Sequence, residues 1–473
     1  MISILALLLT LATAIDPSRF NNLAMYEIFV SSFQDGDPNV GYCIGWGPSK
    51  HCGDLRGIIN AIDYISDLGI NALWITPFFD SNGTTPTDSC GYFAYDYFNV
   101  DPRFGTNEDF KELVEKAHSK DIYVFLDGVF GHHKHSGVKE SPNGLKPVGN
   151  PEPVSYPGSM EFYKEVAAHW IQNYEIDGWR LDAAYQLSIK HQDRNYWYDM
   201  REYIESICDE REKAGKKWGT LCYMVGEVWD GETNIMKWGY KAEDGKIGLR
   251  SMFHFPGRYR LVQTFAVEEN GQGGWDAGNL AGMFNHGYPS FAVPALFVSN
   301  HDTLRFGNLI RMKYGYGKEN SDYWGRHRAV FGFMAQWTGP IQFYYGDEIG
   351  DITECYYKGG DCNGAQKDNA GRTDGQITNL DANQKALYNF ISKILNIRKN
   401  NSPMYQGKRQ NQDASGTLYK VDKVDGTQKI QVLINTNNYS YTCYCGTGTD
   451  LITGNKFSGS CHMEAFSVKY IKM

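Results

Sequence analysis

A chain of 473 residues exceeds one simple core, since single cores stop growing near ~250–300 residues, so a large domain with smaller additions is expected. With 42% hydrophobic and 21% charged residues, the composition excludes an intrinsically disordered chain. The 55 Asp and Glu outnumber 46 Lys and Arg, and a net charge of -9 argues against nucleic acid or an anionic membrane as partner and suits a neutral substrate.

Residues 1–14 are one apolar run ending in Ala12-Thr13-Ala14. This reads as a signal peptide with an A-x-A cleavage site, although no Lys or Arg stands near Met1. The run falls short of the ~20 apolar residues a span needs, and no later stretch qualifies, so no membrane partner is expected. The chain is expected to be secreted, or held in a secretory or digestive lumen, and to be a monomer. Ten cysteines agree with export. They fall into local groups: Cys43 with Cys52, Cys208 with Cys222, Cys355 with Cys362, and Cys443, Cys445 and Cys461, with Cys90 apart. Short loops and an even count favour disulfides, and no Cys/His cluster has zinc spacing. Cys43 and Cys52 are expected to close a loop after the first strand. Asn82-Gly83-Thr84 and Asn438-Tyr439-Ser440 match the N-glycosylation tripeptide.

Apolar strands are expected at 25–30, 70–76, 122–127, 176–182, 223–228, 249–253, 295–300 and 341–345. Helical patterns lie between them at 58–68, 107–120, 160–174, 196–214, 326–337 and 382–399. Eight β/α alternations predict a (β/α)8 barrel over residues 15–401, with a doubly wound open sheet as the alternative on pattern alone. Residues 128–158, rich in Pro and Gly, interrupt the barrel after strand three as a short second domain. Residues 402–473 lose the helical period and show alternating runs at 418–421, 430–435 and 466–471, which predicts a C-terminal antiparallel β-sandwich.

In such a barrel function gathers at the C-terminal ends of strands. Strand three ends in Asp127 with His132 beyond it. Strand four ends in Arg180-Leu181-Asp182, strand five in Gly226-Glu227, and strand seven leads into Asn300-His301-Asp302. One buried charge alone reads as a structural ion pair, but carboxylates on three strand ends point to catalysis. Paired carboxylates are the apparatus of glycoside hydrolysis. Arg180 and Asp182 are two residues apart in a strand and share a face, so the cation keeps Asp182 ionised. Glu227 lies near Trp229, where desolvation raises a carboxyl pKa as a general acid needs.

At these residues the chain resembles the α-amylase family, glycoside hydrolase family 13. Asp127-Gly-Val-Phe-Gly-His132, Gly178-Trp-Arg-Leu-Asp182, Gly226-Glu227-Val228 and Phe297-Val-Ser-Asn-His301-Asp302 resemble its four signatures in order. Residues 91–106 and 68–77 are similar to its second-strand region. The resemblance implies a retaining hydrolase with Asp182 as nucleophile, Glu227 as general acid/base and Asp302 gripping sugar hydroxyls. It also implies that Tyr92, His132, Arg180 and His301 bind the reacting sugar. Two of these signatures depart from the pattern. The family usually has Asn where this chain has Gly131, and Lys-His where it has Tyr185-Gln186. In many relatives that Asn and His bind a structural calcium, and the Lys binds a sugar beyond the cleavage point. Asp35, Asp37, Asn39 and Asp54 resemble a different calcium loop, and clustered oxygens suit a hard cation.

The reading is a secreted enzyme cleaving internal α-1,4 bonds of starch or glycogen. An α-glucosidase or oligosaccharide transglycosylase is the first rival. A non-catalytic interaction subunit is the second, disfavoured because Asp182, Glu227 and Asp302 are all present.

Overall fold

The computed structural model describes residues 15–44, 46–355 and 369–473. The expected signal segment and Cys362, the partner expected for Cys355, lie outside them.

Eight parallel strands form the barrel: β1 (Ala24–Ile28), β2 (Ala72–Ile75), β3 (Tyr123–Gly128), β4 (Gly178–Leu181), β5 (Tyr223–Gly226), β6 (Ser251–Met252), β7 (Leu296–Phe297) and β8 (Ile341–Tyr344). They pair in the order β6-β5-β4-β3-β2-β1-β8-β7. A parallel bridge from Phe253 to Ala295 joins the two ends and closes the ring. Each strand lies where the apolar runs predict it. Both faces are covered, which is why the runs are continuous rather than alternating.

The barrel helices are α1 (Leu55–Leu68), α2 (Asn107–Ser119), α3 (Met160–Tyr174), α4 (Trp197–Lys213), α5 (Phe255–Phe265), α6 (Phe306–Tyr314), α7 (Ser321–Met334) and α8 (Ala382–Asn400). α5 and α6 are not among the six helical patterns expected. α7 starts five residues before the expected 326, capped by Asn320. Pro256 and Gly257 open α5. Proline suits a helix's first turn, and a Cβ at Gly257 would lie 2.3 Å from the His254 ring. No helix among the described residues is long and apolar enough to cross a membrane.

The C-terminal region is antiparallel, as expected. Strands β9 (Lys408–Ser415), β10 (Leu418–Asp425), β11 (Gln428–Asn435), β13 (Gly448–Asp450), β14 (Lys456–Phe457) and β16 (Val468–Lys472) form one sheet, and β12 (Tyr441–Tyr444) pairs with β15 (Ser460–Met463). This sheet packs on α7 and shares one hydrophobic core with the barrel. Cys43–Cys52 and Cys208–Cys222 are disulfides, while Cys90, Cys443, Cys445 and Cys461 are free thiols.

Candidate active site

The site grows from the C-terminal ends of β3, β4, β5 and β7. Arg180 is its hub and is almost fully buried. Its Nη1 donates to Asp127 Oδ1 at 2.9 Å and to Asp182 Oδ1 at 2.7 Å. Its Nη2 lies 3.1 Å from Glu227 Oε2. Alternation along β4 sends Arg180 and Asp182 to the same side, into the ring's mouth. The backbone N–H of Ala183 also donates to Glu227 Oε2, at 3.2 Å.

One cation serves three carboxylates, so the cluster favours keeping one of them protonated. Burial raises two of them, Asp127 to about 6 and Glu227 further. Burial pushes the Glu227 carboxyl up to about 7, Asp182 and Asp302 add to the rise, and Arg180 pulls against it. Asp302 goes the other way. Burial opposes its charge, but His301 and Arg372 outweigh burial and hold it well below the usual carboxylate range. Its Oδ2 lies 3.1 Å from His301 Nε2 and its Oδ1 accepts from Arg372 Nη2 at 2.9 Å.

His301 is held on both nitrogens. Nδ1 bonds Glu27 Oε1 at 2.5 Å, and Nε2 lies 2.8 Å from the Tyr92 hydroxyl, which donates to Asp127 Oδ2 at 2.8 Å. Burial lowers the imidazole pKa, but Asp302 and Glu27 outweigh it and push the group up to about 9. The Tyr92 ring stacks on His301 at 5.3 Å and 12°. His132 stands across the mouth, Nε2 3.8 Å from Asp182 Oδ2.

All seven residues expected to act together line one cleft of about 270 Å³ or, as with Arg180, its floor. Glu152, from the excursion after β3, forms part of its wall. Glu27 and Arg372 were missed. Glu27 carried a readable signal, a lone charge inside an apolar strand. Arg372 lies in the long loop after β8, where no periodicity marks it. Asp127 was noted as a strand end but not placed in the site.

Two of the residues expected to hold calcium, Asp54 and Asp37, fold their own loop. Asp54 Oδ1 takes the Gly57 N–H at 2.6 Å, and Oδ2 takes those of Asp37 at 2.8 Å and Gly36 at 3.1 Å. Asp37 Oδ1 is bonded by both nitrogens of Asn39, each at 2.9 Å. These oxygens organise the loop, and no step below runs through a metal.

Residues 27–144 and 158–379 match the family described as alpha amylase, catalytic domain. The chain belongs to the α-amylase family, glycoside hydrolase family 13. It is a glycoside hydrolase acting on α-glucans. Among solved structures, AmyP in complex with maltose is 38% identical, with a TM-score of 0.90 over 96% of this chain and 97% of that one. Alpha-amylase 3 of Dictyoglomus thermophilum is 28% identical over 93% of this chain and 90% of its own length. A cyclomaltodextrinase of Thermoanaerobacter pseudethanolicus is 26% identical over 89% and 71%.

The two departures from the family pattern meet in this α-amylase family enzyme. A Cβ at Gly131 would lie 2.0 Å from Gln186 Oε1 and 2.6 Å from the Gln186 Cβ. Gln186 therefore occupies the space that Gly131 leaves. Its Oε1 is 3.0 Å from His132 Nδ1, a contact that holds the ring with Nε2 facing Asp182.

Proposed function

We propose that this chain is a secreted, retaining endo-hydrolase of α-1,4-glucans. Asp182 attacks the anomeric carbon while Glu227 gives its proton to the glycosidic oxygen. The bond to the leaving chain breaks and a glycosyl–Asp182 ester forms. Water then enters, Glu227 takes one of its protons, and its oxygen bonds the anomeric carbon as the ester breaks. Double inversion yields the α-anomer. Asp302, held ionised by His301 and Arg372, accepts sugar hydroxyls as the ring flattens.

The observation carrying this reading is one guanidinium set between the two carboxyls, bonded to Asp182 at 2.7 Å and 3.1 Å from Glu227, with burial pushing Glu227 up to about 7. Carboxyls that share one guanidinium sit close, as the ~5–5.5 Å pair of a retaining enzyme does. Endo action is supported by a second depression beyond Asp302, lined by Trp229, Tyr259 and Asn270, which continues the cleft past the cleavage point. Secretion is supported by the two disulfides.

A second reading, release of maltose from chain ends, is favoured by one contact. Arg372 Nη1 donates to the Trp46 carbonyl at 3.2 Å, and both residues wall one end of the cleft. A starch digest decides between them. Endo action makes iodine staining fall well ahead of reducing-end release, whereas maltose as sole early product selects the second reading. NMR of fresh product reads the anomer, and β would remove Asp182 as nucleophile.

A further inference from the structure

A second cavity, of about 410 Å³, lies where the barrel meets the C-terminal sheet. Its lining includes Trp275, Asp276, Tyr314, Tyr316, Asp322 and Asn438. We propose that it is a second α-glucan site, which holds one stretch of the polymer while the cleft cuts another. The proposal rests on the α-glucan reading of the cleft.

Three observations carry it. First, Trp275 is 51% exposed within a concave site, and Trp46 and Trp229 are likewise exposed at the cleft and the depression beside it. Aromatic faces pack on the C–H faces of sugar rings, and their exposure in a concave site needs a ligand to cover them. Second, the site is built before any ligand arrives. The N–H groups of Gly274 and Trp275 both donate to the Gln263 carbonyl, at 2.9 and 3.1 Å. Asp276 Oδ2 accepts from Gly416 N at 3.2 Å, and Ala277 N donates to Gly416 O at 2.9 Å, pinning the loop to the C-terminal sheet. Across the cavity the Tyr314 and Tyr316 rings stack at 5.6 Å and 15°. Buried Arg326 holds both, with its guanidinium 3.6 Å over Tyr314 and Nε donating to the Tyr316 hydroxyl at 2.9 Å. Rigid aromatics lose little entropy on binding. Between them Asn438 Nδ2 donates to Asp322 Oδ2 at 3.3 Å, leaving an amide oxygen and a carboxylate to take vicinal hydroxyls.

Third, one loop reaches both the cavity and the cleft's outer end. Asn270 lines the depression beyond Asp302, and Trp275, five residues on, lines the second cavity. Five residues span at most ~18 Å, a few sugar units along a glucan. One loop therefore touches the same polymer twice, and tethering turns the second contact into an intramolecular one.

The test compares the unaltered enzyme with Trp275→Ala, both made in a bacterial periplasm, where Asn438 carries no sugar. Trp275 is exposed, so the melting temperature and the rate on soluble maltotetraose are expected to stay the same. Adsorption to starch granules should fall at least about tenfold, a modest share of the avidity that two linked sites supply. Adsorption is also read in Glu227→Gln with and without Trp275→Ala, where it does not depend on turnover. Loss of adsorption on removing Trp275 supports the site even if the cleft's preferred bond is misassigned. Adsorption equal to that of the unaltered enzyme overturns it.

Discussion

At Glu227, burial and two carboxylates on one side oppose a single guanidinium on the other, and the carboxyl ends near 7. A general acid must carry its proton when substrate arrives, so kcat/KM should fall as pH rises through about 7. Glu227→Gln is expected to cost ~10²–10⁴-fold in rate and to erase that alkaline limb, read by initial rates on a maltooligosaccharide. At Gly131 the prediction is steric. Gly131→Ala must displace Gln186 and free His132, so KM is expected to rise while the fold holds. Gln186→Ala should do the same without a clash, and titration calorimetry of maltotriose against each variant in a Glu227→Gln background checks both. The residues at strand ends were legible in sequence because spacing and chemistry coincide there. The compensation of Gly131 by Gln186 was not, because residues 55 positions apart in the chain gave no sign that they touch.

Among the elements, α1 shows how a loop and a helix share one side chain. Asp54 caps α1 through Gly57 and folds the preceding loop back through Gly36 and Asp37. The Cys43–Cys52 disulfide closes the same loop. Losing an N-cap costs ~0.5–2 kcal/mol, so Asp54→Ala is expected to lower stability by about 2 kcal/mol in urea denaturation, the loop bonds placing it at the upper end. All eight barrel strands were legible, because each is an apolar run short enough to be a strand and bounded by polar turns. α5 was not, because Pro256 and Gly257 read as turn residues until a helix start is seen to need the one and the His254 ring the other. Asp54, read as a calcium ligand, also caps α1, a use that composition does not reveal.

At the scale of the whole molecule, Arg398 of α8 ties distant parts together. Its Nη1 donates to the Trp337 carbonyl at 2.7 Å and that of Ala335 at 3.1 Å, and its Nη2 to those of Asn21 and Gly339, each at 2.6 Å. These include carbonyls just past the end of α7, where a cation is favoured. Burial pulls Arg398 down to about 9, which leaves it charged at neutral pH. Arg398→Leu orphans several buried carbonyls at ~1–3 kcal/mol each, and a loss of about 3–5 kcal/mol is expected by thermal unfolding. On the opposite face of α7, Gly325 and Gly332 admit Phe466 and Val468, with a Cβ at either glycine meeting them at 2.6 and 2.5 Å. At these two positions the C-terminal region sits against helix backbone, while the Tyr419 ring of β10 packs on Phe333 of α7.

The bridge between Phe253 and Ala295 makes the ring a hoop with a clasp. Two strands of two residues each meet there, while the neighbours β1 to β5 are held by longer ladders. Asp182 and Glu227 stand on one side of the clasp and Asp302 on the other. Breathing at the clasp would leave the attacking pair undisturbed and vary only its distance to the group that grips the sugar. The attack geometry is therefore expected to be stiffer than the grip, which suits a sugar ring that must flatten mid-reaction. Hydrogen exchange should find the amides of Phe253, His254 and Ala295 opening before those of β2 and β3. Binding of maltotetraose to the Glu227→Gln enzyme, which spans the gap, should slow them more than any other barrel strand.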